Sequence, residues 1–458
     1  MNAFRPSFRP LQAALALLLT AVTAARADLV TEWNALALTE MRSGTEAPMM
    51  ARDLAILHTA MFNASESIRG GYETYGFGTY SAPGVSGPLG ASYEAAMISA
   101  ANTVMQSLYS GGAAGFTSLY DTQMGLIADG QAKTDGIAWG ASIANEMLTW
   151  RAADGAVDAG STPYSPVGTI GYWQPTSASS AMLPGWGTVG TFAIPGTGGY
   201  LGTPPGGSVT AYVQDESGPY GSDYNEVKEL GALFSPTRTA DQTDQAYFWA
   251  AGDGTVKVTG MWNQVAEAAA LNAGLSVADT ARLFAALNVT LADASIAGMA
   301  ASYDMQFWRP ETAIANGDAD GNDDTTVDAF WAPLIASPSL PEYVALGATL
   351  SEAAAATLAY YLGDSQSFSL GSDINGDGSV DLTRDFTSFS QASDEAALSG
   401  VYGGTQFRTS AEDGQTMGAS VADFVVNNNF AAVPEPASAL LVLLGLGVCA
   451  RRRRVNGE

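Results

Sequence analysis

Histidine and cysteine are almost absent from this chain of 458 residues, with one of each. Cys449 lies close to the C-terminus, so the body has no disulfide and must be held by its core, for which a hydrophobic share of 47% is ample. A lone histidine, His58, argues against a zinc site and against any mechanism that needs two imidazoles. Positive charge is also scarce: 19 Lys and Arg stand against 46 Asp and Glu. Residues 1–27 and 437–458 carry seven of those arginines and one glutamate, which leaves the body with 12 basic and 45 acidic residues, a net charge of −33. Such a surface repels nucleic acid and anionic lipid, and it suits a soluble extracellular protein that meets divalent cations. There is no Gly-x-Ser-x-Gly elbow for a serine nucleophile, no strand followed by a Gly-rich phosphate loop, and no alternating stretch long enough for a large sheet.

The two ends read as addresses. Arg5 and Arg9 precede an apolar run from Leu11 to Val22, and Ala25-Arg26-Ala27 is a small-x-small cleavage site before Asp28. This is the pattern of a secretory signal peptide, 1–27, and the run is short for a membrane span. The C-terminal end, 431–458, has Pro434-Glu435-Pro436, an apolar run from Ala437 to Ala450, and the cluster Arg451 to Arg454. In that order these elements resemble the PEP-CTERM sorting signal. The resemblance implies export in a Gram-negative bacterium that makes exopolysaccharide, a tail held for a time in the membrane, and an exosortase that cuts it. A plain C-terminal anchor would equally leave the body outside the cytoplasm.

The body, 28–430, is expected to be a single, mainly α domain: a helical bundle with a long irregular insertion rich in aromatics and glycine. Leu54, Leu57, Met61, Ala64 and Ile68 recur at helical spacing over 51–69, and His58 lies on that apolar side as a core residue. Helices are expected over 90–109 and 132–152, an irregular excursion over 155–225, and renewed helix from about Asn225. Ser276 with Asp279 marks a helix start after a stop at Gly274, and Phe284, Leu287, Leu291 and Ile296 form its apolar side. Further helices are predicted from Pro341 to Tyr361, ending at Gly363, and over 392–428 with a break at Gly403-Gly404.

Several stretches in order resemble the vanadium-dependent haloperoxidases, which share a helical fold with the type 2 phosphatidic acid phosphatases. They are 51–63, Glu226-Val-Lys-Glu-Leu-Gly231, Arg238-Thr-Ala-Asp-Gln-Thr243, Phe307-Trp-Arg-Pro-Glu-Thr-Ala-Ile314, Asp320-Gly-Asn322, Pro341-Glu-Tyr343 and Val401-Tyr-Gly-Gly404. The resemblance implies a cage of cations and N–H donors around vanadate or phosphate, carried by Lys-x6-Arg-Pro, Pro-Ser-Gly-His and Ser-Arg-x5-His motifs. Most of that cage is missing. Arg309-Pro310 is present, but the lysine position is Ser302. Val344-Ala345-Leu346-Gly347 stands where Pro-Ser-Gly-His is expected, with Ala345 for Ser and Gly347 for the acid/base His. Ser399-Gly400 lacks the second Arg, and Gln406 replaces the His that would bind vanadium or be phosphorylated. Each lost charged contact to an oxyanion is worth roughly 1.5–3 kcal/mol, so vanadate affinity should be gone. Arg309 is left either as a remnant oxyanion contact or as a buried partner of carbonyls or a carboxylate at a helix end.

One other pattern carries chemistry. Asp373, Asn375, Asp377 and Asp381, with Gly378 at the sixth position, match the first nine positions of a calcium loop, although the twelfth is Arg384. A second loop, Asp318 to Asp324, lacks that glycine. The sequence therefore points to an exported, non-catalytic component of the cell surface or exopolysaccharide matrix. No cofactor is expected, calcium is the one candidate ion, and nucleic acid is not a partner. The rival reading is an active haloperoxidase or acid-phosphatase-type enzyme with a rebuilt site.

Overall fold

A computed structural model describes residues 28–76, 86–176, 180–201 and 207–433, so the expected signal peptide and the apolar run of the tail lie outside the described residues. Asp28 caps the first helix, α1 (Leu29–Met41), its carboxylate accepting the amides of Val30 and Thr31 at 2.9 Å. In α2 (Ala47–Arg69), Pro48 sits in the first turn and Gly70 ends the helix with φ 73°. The apolar side from Leu54 to Ala64 is buried, as its spacing requires. α3 (Tyr93–Leu108), α4 (Ala113–Met124) and α5 (Gln131–Arg151) pack beside it. α3 and α5 meet backbone to backbone: a Cβ on Gly140 would lie 1.9 Å from the Ala96 carbonyl oxygen, so no other residue fits there.

The irregular excursion follows, with α6 (Ala156–Ala159) and α7 (Val209–Gln214) as its short helices. Its aromatics turn inward, and Trp173 and Trp186 are buried. Regular helix resumes at α8 (Tyr220–Leu230), slightly before the expected point, and continues through α9 (Ala240–Trp249) and α10 (Lys257–Ala273). Gly274 closes α10 in the left-handed region, and the Ser276 hydroxyl accepts the Asp279 amide to open α11 (Val277–Met305). α12 (Pro310–Ala315), α13 (Leu346–Leu362), α14 (Phe389–Tyr402) and α15 (Arg408–Asn428) complete the bundle. α11 is apolar all round because it is enclosed by α2, α13 and α15. Among the described residues it alone is long and apolar enough to cross a membrane, and it lies inside the body.

Two expectations need correction. The helix predicted from Pro341 begins at Leu346 instead. Residues 341–345 stay outside the helix, with a bend at Tyr343 and Val344, because the Glu342 amide donates to the Phe307 carbonyl and the Ala345 amide to the Ser410 carbonyl. The second correction is a small antiparallel hairpin, β1 (Phe368–Ser372) with β2 (Leu382–Phe386), which flanks the candidate calcium loop. The predicted break near Gly403-Gly404 does separate α14 from α15, and Gly404 takes φ 77° there.

Asp293, fully buried on α11, ties the excursion to the bundle. Its carboxylate accepts the amides of Phe192, Ala193 and Ile194 at 2.6, 2.7 and 2.8 Å. Burial pushes this carboxyl up to about 6, against the pull of those amides and the nearby Arg151. Asp293→Ala leaves three amides without an acceptor. It should cost about 2–4 kcal/mol in urea unfolding, and a loss below about 0.5 kcal/mol would contradict this role.

Candidate functional site

Arg309 is the N-cap residue of α12, and it is 2% exposed. Its Nε donates to the Leu340 carbonyl at 2.8 Å, one Nη to Thr405 at 2.8 Å and the other to Pro341 at 3.2 Å. All three acceptors are backbone oxygens. Two belong to the strap before α13 and one to the connection between α14 and α15. Burial lowers the guanidinium to about 10, with Glu342 and Tyr303 opposing, so it stays charged at neutral pH. The arginine of the Arg-Pro motif is thus a clamp on two chain segments.

The positions around it are small or turned elsewhere. Ser302, in the lysine place, is buried on α11 with its hydroxyl 3.5 Å from the Val344 carbonyl. Ala345 is the N-cap residue of α13, and Gly347 lies in the first turn. A Cβ on Gly347 would meet nothing within 4 Å. Gln406 packs its amide against Gly400, where a Cβ would lie 2.1 Å from Oε1. Arg408 does not turn toward this place, being paired bidentately with Glu226 at 2.8 and 2.5 Å.

Arg309, Gly347, Gly400 and Gln406 do come together, on the wall of an open cavity of about 730 Å³. Sequence reasoning missed two groups here. Lys257 lines the same cavity from the start of α10, with φ 56°, and its ammonium lies 3.0 Å from Asp253. Its distance in sequence from every motif hid it. Glu342, wholly buried beside the strap, accepts the Phe407 amide at 2.8 Å on Oε1, while Oε2 has no partner. Its place in Pro341-Glu-Tyr343 was the one signal. Burial pushes its carboxyl up to about 8, with Arg309 and the Phe407 amide opposing.

His58 is a core residue. It is fully buried, its Nε2 lies 2.9 Å from Asn34 Oδ1, and its ring packs on Phe284 with centroids 5.0 Å apart. Burial lowers it to about 3, so the imidazole is neutral. Asp373, Asn375, Asp377 and Asp381 lie on the loop of the β1–β2 hairpin. Asp373 accepts the amides of Gly376, Asp377 and Gly378 and pairs with the Arg42 guanidinium. Asp381 accepts the amides of Ile374 and Asn375. Arg384, at the twelfth position, faces away to Glu395 and Asp241 at 2.6 and 2.9 Å. In the second loop, Asp320 is buried and accepts from Asn322 and Thr325, so those groups serve local packing.

The Glu342 shift carries a sign. A carboxyl raised from 4.5 to about 8 keeps a proton in the folded chain that the unfolded chain releases. The stability this confers is complete below about 4.5 and is lost as pH rises through about 8. The loss is on the order of 5 kcal/mol across that window. Glu342→Gln should flatten this part of a stability-against-pH curve, and an unchanged slope would contradict the assignment.

Residues 282–433 match the family described as the VCPO second helical-bundle domain, and residues 432–454 match the PEP-CTERM protein-sorting motif. No curated protein matches the chain in sequence. Among solved structures, a bacterial vanadium-dependent iodoperoxidase is similar with TM-score 0.73 and 23% identity, over 88% of this chain and 96% of that one. A bacterial vanadium-dependent chloroperoxidase in its holo form is similar with TM-score 0.63 and 15% identity, over 84% of this chain and 93% of that one. The body therefore has a helical fold similar to that of the vanadium haloperoxidases, with residues 282–433 matching the second helical-bundle domain and a PEP-CTERM sorting motif behind them.

Proposed function

We propose that this is an exported, non-catalytic protein of the haloperoxidase fold. An exosortase acts on its tail, and the body serves as a component of the cell surface or exopolysaccharide matrix. The single observation behind this reading is the commitment of Arg309 to the carbonyls of Leu340, Pro341 and Thr405. Around it the cage is not rebuilt: Ser302, Ala345, Gly347, Gly400 and Gln406 bring neither cation nor imidazole. These residues do not fit vanadate. The acidic body and the absence of disulfides agree with a secreted component stabilised by its core.

A second reading, an active haloperoxidase or acid-phosphatase-type enzyme with a rebuilt site, draws on Lys257, Glu46 and Asp253, which line the same cavity. It requires the Lys257 ammonium to leave Asp253 and an unassigned group to take the place of both histidines. The two readings separate in one assay. The purified protein with orthovanadate, hydrogen peroxide and bromide should halogenate monochlorodimedone no faster than a heat-treated control, and orthovanadate should give no heat in titration calorimetry. Vanadate-dependent turnover, or hydrolysis of p-nitrophenyl phosphate lost in Lys257→Met, would favour the second reading.

For the hairpin loop we propose that Arg42 and a calcium ion compete for Asp373, since the guanidinium already lies against the carboxylate that would be the first ligand. Calcium should then raise the melting temperature of Arg42→Ala by about 3 °C or more and move the wild type by less than about 1 °C. Equal shifts in both proteins, or none in either, would contradict the competition.

A further inference from the structure

The chain between α15 and the sorting motif is bound to the body. Residues 430–433 return to the end of α2 and lie antiparallel to residues 71–73, with Ala432 opposite Tyr72. The Glu73 amide donates to the Ala431 carbonyl at 2.8 Å, and the Val433 amide to the Gly71 carbonyl at 3.1 Å. Phe430 anchors the segment. It is 1% exposed, stacks on Tyr75 and meets Phe62 edge-on, with centroids 5.4 and 5.3 Å apart. It takes φ 60°, a conformation that a bulky side chain keeps only where its surroundings fix it. Its carbonyl accepts Nε of Arg282 at 2.7 Å.

The edge that receives this segment is fixed from α2. Buried Glu66 accepts the amides of Gly71 and Tyr72 at 3.1 Å each. The Asn63 side chain holds Tyr75 by its amide and its carbonyl, at 2.8 and 2.7 Å. Release of 430–433 therefore uncovers Phe430 while the edge itself stays held.

The sorting motif starts inside this contact: its match begins at Ala432, and Pro434-Glu435-Pro436 follows Val433 directly. Three residues reach about 10 Å at most, so the apolar run at Ala437 begins close to the docked strand. A peptidase that takes its substrate as an added strand pairs with the backbone groups beside the bond it cuts. Pro434 and Pro436 have no N–H to give, and the Val433 amide and Ala431 carbonyl are already engaged by residues 71 and 73.

We infer that residues 430–433 are a latch: docked on 71–73 they withhold the sorting tail from its peptidase, and the tail is cut from the released state. The inference rests on the reading that an exosortase acts on the tail. Where docking is fast relative to cutting, the rate follows the population of the released state. Loss of one ordinary hydrogen bond from the latch raises that population about fivefold.

The uncut full chain in detergent, mixed with purified exosortase, tests this, with the mass of the body followed over time. All proteins carry Cys449→Ser, which removes the one native thiol. Glu73→Pro deletes a latch amide after a residue already extended, and Arg282→Met deletes the contact to Phe430. Neither alters the sorting motif, and each should be cut about fivefold faster than the parent. Tyr72→Cys with Ala432→Cys spans a pair not hydrogen-bonded to each other, where Cα atoms about 4.5 Å apart suit a disulfide. Oxidised, this protein should be cut slower by about tenfold or more than when reduced by dithiothreitol. Equal rates in the parent and both loosened variants, or in the oxidised and reduced pair, would overturn the latch and leave the exosortase reading standing. If none of these proteins is cut, both fall.

Discussion

The arrangement depends on how one buried guanidinium is satisfied. A charge with no access to water must find acceptors, and Arg309 takes them from three backbone carbonyls in two separate segments. This draws the strap at 340–345 against the connection between α14 and α15. It also sets where α13 begins, since residues held by Arg309 and by the amide contacts to Phe307 and Ser410 cannot enter the helix. Glu342 completes the arrangement from the strap itself. It is not in ion-pair contact with the arginine, and burial keeps its carboxyl protonated at neutral pH. The dipoles of the carbonyls do the work that a carboxylate would do in an ordinary ion pair.

The same clamp explains why the cavity carries no cage. An oxyanion site needs guanidinium and ammonium groups whose N–H donors face open space. Here the arginine's donors face carbonyls, the lysine place is a serine directed at Val344, and the imidazole places are Gly347 and Gln406. What remains is open volume bounded by both apolar and polar side chains. A single change at 347 is sterically free, so the cavity is an open feature of the fold and is not packed shut.

Much of the fold was legible because its signals are local. The apolar spacing in α2, the Ser276 and Gly274 signals around α11, and the Gly403-Gly404 break each act within a few residues of where they are read. The errors have two causes, one long-range and one local. Pro341 looks like the first turn of a helix, but the carbonyls around it are held by an arginine some thirty positions earlier. The hairpin was hidden because each strand is only five residues long, too short for alternation to stand out. Of the candidate site, the small or uncharged residues at 302, 345, 347 and 406 could be read directly from the sequence. The roles of Lys257, Glu342 and Arg42 could not. Arg42 and Asp373 are 331 residues apart, and nothing in the sequence around Arg42 announces that it faces a calcium-like loop.

The most direct test of the clamp is the unfolding free energy of Arg309→Lys, which keeps the positive charge and removes the fork that reaches three carbonyls. A structural clamp predicts a loss of about 2–4 kcal/mol, in the range found when a buried charged network is broken. An arginine kept only to line a ligand site can be shortened with stability unchanged or improved. A variant within about 0.5 kcal/mol of the wild type would contradict the account.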